Sequence, residues 1–246
     1  FFFHAQDGIR DPLWSRGLGD VYKRQPHNSP AGAELYEYAE TLMEKRLKTD
    51  NTNSILHMVM QPAVDGSKLS ETEFKNFFCQ LVAAGNDTTR YSIAAGIHAL
   101  CHQPELLKQM KNEPTVWETA PDEIVRWASP VNYFRRTATK DFSIHNKIIK
   151  KGDKVLYWFA SGNRDSNEFT NPFKLDLYRK PNKHQAFGQG GPHICLGIWL
   201  ARLEIRCLFQ ELSKRIKSIQ QVGPQKYLRS NFVSGIKELP VRVALS

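Results

Sequence analysis

The chain has 246 residues, 41% of them hydrophobic, which suits one large domain or two small ones with a buried core and excludes a disordered polymer. No apolar run approaches the roughly 18–20 residues that span a bilayer, and His4, Gln6, Asp7 and Arg10 interrupt the opening phenylalanines, so neither a transmembrane anchor nor a signal peptide is expected. The 34 basic and 25 acidic residues leave a net charge of +9 without a dense basic tract or a nucleic-acid motif; an acidic protein partner suits that charge at least as well as a polyanion, and a cytoplasmic location follows as the default.

Residues 1–25 lack sustained periodicity and end in Gly-Leu-Gly-Asp-Val-Tyr-Lys-Arg-Gln, a run more like adapter readthrough than protein. They are set aside as a non-native leader or sequence artefact. From Ala31 to Lys48 the spacing of Leu35, Tyr38, Ala39, Leu42 and Leu47 predicts a helix, and Ile55 to Met60 a second, short one. Ser70 with Glu73 forms a capping box ahead of apolar residues recurring at helical spacing to about His102. Unbroken, that helix would be on the order of 50 Å long, enough to cross a domain centre.

Pro104 to Asn112 and Pro121 to Ala128 are further helices, each with proline in its first turn; Ser129-Pro130 stops the second. Phe142-Ser-Ile144 and Val155 to Phe159, joined through Lys151-Gly-Asp153, read as strands of a small sheet. A loop-rich stretch from Gly162 to Pro192 precedes a helix from about Leu196 to Ile216, and Phe232 to Leu245 reads as a hairpin around Gly235. The fold class is therefore mainly α with small β-sheets.

Cysteines stand at 79, 101, 195 and 207, without zinc-knuckle spacing and too few for a disulfide scaffold, so reduced thiols are expected. One has an informative neighbourhood: Phe187-Gly-Gln-Gly-Gly-Pro-His193-Ile-Cys195-Leu-Gly197. Glycines let a backbone turn tightly and approach a flat ligand, and a thiol at the opening of a helix is favoured as thiolate. In the long helix, Ala84-Gly-Asn-Asp87-Thr88-Thr89 places a carboxylate and hydroxyls in an otherwise apolar run, which is costly unless used. Threonine hydroxyls there can bond back to a carbonyl and open a groove beside Gly85. Glu123 and Arg126, at i,i+3, share a helix face and can pair.

The glycine loop with its cysteine, the Asp87-Thr88 motif and Glu123-Ile-Val-Arg126, in this order, resemble the cytochrome P-450 superfamily from about Ala31 onward. The resemblance implies a partial domain over residues 26–246: the long central helix, the Glu-x-x-Arg helix, the cysteine-ligand loop and the helix after it, without the family's N-terminal half. It implies haem b with Cys195 as the iron ligand, and Asp87 and Thr88 as the acid–alcohol pair that delivers protons. Ala84, Gly85, Phe187, Gly188 and Gly197 would lie against the haem, with Arg136, His184 and His193 toward its propionates. Glu123, Arg126 and Arg179 would be a structural network.

The same resemblance implies hydroxylation of an unactivated C–H bond with O2, and electrons from NAD(P)H through ferredoxin reductase and an acidic ferredoxin docking near Lys183 and Arg202. Phe187 to Cys195 is one residue longer than the commonest family spacing, and the tail from Leu228 to Val241 resembles bacterial sterol and methyl-branched-lipid hydroxylases. A sterol side chain or branched lipid is accordingly the expected hydrophobic substrate. Two other readings stand beside this one: a haem-binding sensor or carrier, disfavoured by Asp87-Thr88, and an inactive fragment.

Overall fold

The computed structural model describes residues 30–47, 54–62 and 65–246. The proposed leader, residues 1–25, lies outside them. The described residues fall into two compact units that divide within one long helix, after Asp87.

In the first unit, α1 (Pro30–Leu47) and α2 (Ile55–Met60) accompany the start of α3 (Glu71–His102). Ser54 begins α2 by accepting the His57 amide at 3.1 Å. The capping box opens α3 reciprocally: Ser70 N donates to Glu73 Oε2 at 2.8 Å, and Glu73 N donates to Ser70 Oγ at 3.3 Å. Behind the cap, Phe74 and Phe78 fall on one face and bury with Ala39, and Leu35, Leu42, Met43, Leu56 and Val82 pack around them. Lys75 bridges to Glu40 at 3.3 Å, tying α3 to α1 across an exposed rim.

In the second unit, α3 continues unbroken through the motif expected to open a groove, reaching 32 residues, about 48 Å. It is followed by α4 (Pro104–Asn112), a 3₁₀ turn (Pro114–Glu118) and α5 (Ala120–Ala128), which ends in left-handed Ser129 at φ 42° before Pro130. The last helix, α7 (Ile198–Arg215), packs on α4 and α5. Its Phe209, fully buried, lies against α3 at Gly96, where a Cβ would be 2.5 Å from the ring; a side chain there would hold the two helices apart. Leu106, Leu107, Val116, Ile124, Leu177 and Ile205 fill the same core.

The β-structure differs from expectation. β1 (Tyr133–Thr137) pairs antiparallel with β4 (Lys154–Trp158), while β2 (Phe142–Ile144) pairs with β3 (Lys147–Ile149). The 142–144 strand therefore does not join the 155–159 run. A two-residue turn at His145-Asn146, with His145 at φ 49°, closes a local hairpin first, and 155–158 finds its partner in 133–136. A one-turn helix, α6 (Phe159–Gly162), follows β4.

The tail is not one hairpin around Gly235 either. β5 (Ile216–Gln221) pairs with β8 (Val241–Leu245), and β6 (Lys226–Tyr227) with β7 (Ile236–Glu238). Between them the loop docks on the chain ahead of β1: Val131 bridges Val233, and Ser234 N donates to Pro130 O at 2.8 Å. Gly235 is needed for close approach, since a Cβ there would fall 2.1 Å from the Tyr91 ring of α3.

Candidate functional site

Backbone bonds build the loop ahead of α7. Gly188 N donates to Gln185 O (2.8 Å), Ile194 N to Gly191 O (3.2 Å) and Cys195 N to Phe187 O (2.9 Å). Gly188 and Gly190 adopt φ of 66° and 96°, a region that disfavours side chains, which explains two of the glycines. Cys195 is half-buried against the core and stands two residues before Gly197, the N-cap of α7, so it precedes the first helical turn rather than sitting in it. All four cysteines are free thiols; burial pushes those of Cys79 and Cys101 up, as suits inert core positions.

The cradle fits a broad, flat, apolar group. Beyond Gly190, Gly191 and Gly197 a Cβ would meet no heavy atom within 4 Å, and the neighbours Ile194 and Leu196 are 48% and 68% exposed. Large apolar side chains held open beside a thiol are the donor and lining that a thiolate-ligated haem requires. On β1, the two-residue period puts Arg136 on the face of Phe134 and Arg135 on the other. Arg136 is exposed and donates to Arg135 O at 3.0 Å, and His193 is exposed on the glycine loop.

His184 is held by the chain itself. It is fully buried, and both ring nitrogens are engaged: Nε2 with Asp122 Oδ1 at 3.0 Å, and Nδ1 as acceptor of the Ala186 amide at 3.3 Å. In this arrangement both ring nitrogens serve the start of the glycine loop and α5. Arg202 is likewise not a free docking cation. Its Nε and Nη2 lie 3.0 and 2.9 Å from Asp122 Oδ1, and its guanidinium stacks 5.5 Å from the Phe187 ring centroid. Burial works to raise the Asp122 carboxyl, but the bonds from His184 and Arg202 outweigh it and hold its pKa below the ordinary value. Lys183 is exposed.

Glu123, Arg126 and Arg179 meet in the interior. Arg126 grips both carboxylate oxygens of Glu123 (Nε to Oε2 2.7 Å, Nη2 to Oε1 2.8 Å), and Arg179 Nε approaches Oε2 at 3.0 Å. Two guanidinium charges face one carboxylate, and backbone carbonyls absorb the surplus: Arg126 reaches those of Asn163, Pro172 and Lys174, and Arg179 those of Thr170, Asn171 and Lys174. The effect is to pin the irregular 163–179 segment on α5 by its own backbone.

Two contributors have no role assigned from the sequence. Asp122 sits beside the conspicuous Glu123, and nothing but adjacency marks it. Asn163, fully buried, donates to Ser129 Oγ at 2.9 Å and accepts the Gln185 amide at 2.6 Å, joining the end of α5 to the entry of the glycine loop. Its signal was the Asn163-Arg164-Asp165 run.

In α3, Asp87 and Thr89 are buried, Thr88 is half-buried, and Ala84 and Gly85 are exposed; a Cβ on Gly85 would touch nothing within 4 Å. Ser92 Oγ bonds back to Thr88 O at 2.9 Å. The unit boundary falls between Asp87 and Thr88.

A family model described as Cytochrome P-450 matches residues 31–239. The methyl-branched lipid omega-hydroxylase of Mycobacterium tuberculosis is 42% identical over 210 residues, 85% of this chain and 49% of the relative. The steroid C26-monooxygenase of the same organism is 37% identical over 234 residues, 93% and 53% of the two chains. A solved structure of a Mycobacterium marinum cytochrome P-450 in complex with pseudoionone aligns with a TM-score of 0.83 at 36% identity, covering 98% of this chain and 57% of that one. The chain thus spans about half the length of the curated relatives it matches. With the family model covering most of its residues and the fold shared at that level, the chain belongs to the cytochrome P-450 family.

Proposed function

We propose that residues 26–246 are the haem-holding part of a haem-thiolate monooxygenase that hydroxylates an unactivated C–H bond of a hydrophobic substrate. The observation that carries this reading is Cys195: a half-buried thiol set by the Phe187 carbonyl in a loop whose glycines open onto empty space. Cys195 would ligate the iron, with Phe187, Gly188 and Gly197 shaping the cradle on its side. Ala84 and Gly85 offer a second surface free of side-chain bulk. Arg136 and His193 supply donors for the propionates. When bound, the thiolate-ligated haem supplies oxygen activation, the anionic sulfur favouring O–O cleavage.

The chain's own part is position and protons. A carboxyl and a hydroxyl side by side at Asp87 and Thr88 form a relay from water to the reaction centre, Asp87 taking up each proton and the Thr88 hydroxyl handing it on. A carrier or sensor has no use for such a pair. Electrons come from NAD(P)H through a reductase and an acidic ferredoxin, which the net charge of +9 favours and which exposed Lys183 would help to dock. The similarity to a methyl-branched lipid hydroxylase and a steroid C26-monooxygenase supports a sterol side chain or branched lipid as substrate.

The test is a reduced carbon-monoxide difference spectrum of the haem-loaded chain. A thiolate-type band that Cys195→Ser abolishes is expected; a histidine-type band, or no haem uptake, overturns the reading. In a full-length version, Thr88→Ala should divert NAD(P)H consumption from product to peroxide, and unchanged coupling would remove Thr88 from the relay.

A further inference from the structure

We propose that Asp122, His184 and Arg202 form a clamp that positions the Cys195 loop, with half-buried Asp122 as its centre; the proposal rests on Cys195 being the iron ligand. A single oxygen, Asp122 Oδ1, accepts from His184 Nε2 and from Arg202 Nε, both at 3.0 Å, and lies 2.9 Å from Arg202 Nη2 in the ion pair. Asp122 belongs to α5, His184 stands at the start of the loop and Arg202 lies one turn into α7, so one carboxylate joins the three segments that bracket the thiol. From there the path to Cys195 is short. His184 Nδ1 holds the Ala186 amide, Arg202 lies over the Phe187 ring, and the Phe187 carbonyl accepts the Cys195 amide at 2.9 Å.

The hydrogen-bond pattern also defines the chemistry of His184. Nδ1 faces a donor and Nε2 an acceptor, so the ring is neutral with its proton on Nε2. Asp122 selects that tautomer, much as outer carboxylates orient histidines around metals, and here the oriented group is a backbone loop. Glu123 next door works mainly on another segment, because its partners Arg126 and Arg179 tie down 163–179. Neighbouring carboxylates on α5 thus address two different pieces of chain.

Two measurements on the whole chain test the clamp. Nitrogen-detected NMR of the histidines, without haem, should find His184 as the Nε2–H tautomer with a slowly exchanging proton, and Asp122→Ala should speed that exchange. An Nδ1–H tautomer, or exchange as fast as that of exposed His193, overturns the proposal. With haem, Asp122→Ala should weaken haem binding about 10-fold and convert the thiolate band to that of a lost thiolate, while Asp122→Asn, which keeps an acceptor oxygen, restores most of it. Leu106→Ala, a core truncation on α4, which bears no member of the clamp, controls for stability. If it loses as much thiolate band as Asp122→Ala at equal stability, Asp122 has no positioning role. If wild type shows no thiolate band at all, the ligand reading fails while the NMR result still decides the clamp.

Discussion

Replacing Glu123 by Gln removes one negative charge from a site with no solvent. The carboxylate is fully buried and accepts from Arg126, Arg179, the Asn182 amide (3.1 Å) and the Asp176 backbone (2.9 Å). Glutamine matches its shape, yet one oxygen becomes an NH2 facing guanidinium donors, and two buried cations lose their only counter-charge among these contacts. Breaking a buried pair by removing one partner costs about 3–5 kcal/mol. The carbonyls gripping Arg126 and Arg179 remain, which argues for the lower half of that range. At about 2–4 °C per kcal/mol for a chain of this size, the melting temperature should fall by about 6–16 °C. Urea unfolding followed by circular dichroism measures it directly, with the slope unchanged if only the native state is affected. A loss under about 1 kcal/mol would refute the buried, compensated network and mean that water reaches these charges.

Three further outcomes follow from contacts elsewhere. Gly235→Ala should destabilise by about 1–3 kcal/mol or more, because its Cβ would enter the Tyr91 ring, and a melting temperature equal to wild type would contradict the close docking of the tail on α3. Ser70→Ala should cost about 1 kcal/mol by opening the capping box, while Ser70→Thr, which keeps the oxygen, recovers most of it in the same unfolding assay. The bonds from His184 and Arg202 hold the folded pKa of Asp122 below the ordinary carboxylate value, so its stabilisation is complete above that value and is lost as pH falls through the lower folded one. An Asp122→Asn chain should therefore show a shallower loss of stability below about pH 4, and parallel acid profiles would show that the carboxylate is not preferentially ionised in the folded state.

The helices were legible residue by residue because their causes are local. Ser70 and Glu73 cap each other within one turn, Pro104 and Pro121 stand in first turns, and Ser129-Pro130 stops α5 sterically. Strand pairing was not legible. The apolar run at 155–158 carries no label for its partner, and only the assembled chain shows that His145-Asn146 closes β2 on β3 and leaves β4 for β1. Gly235 looked like a turn residue from its neighbours alone, since the ring that needs its missing Cβ lies far away in sequence at Tyr91.

The site divides along the same line. Residue types at short spacing marked Cys195 and its glycines, Asp87-Thr88 and Glu123–Arg126, since backbone turns and i,i+3 faces are read within a few positions. Tertiary structure alone decided what the buried polar groups do. His184 and Arg202 read from the sequence as propionate and partner contacts; in the fold both also meet Asp122, and those bonds hold the loop. A side chain's donors are written in the sequence; which acceptors reach them first depends on long-range packing, and here that packing brings α5, the glycine loop and α7 to one carboxylate oxygen.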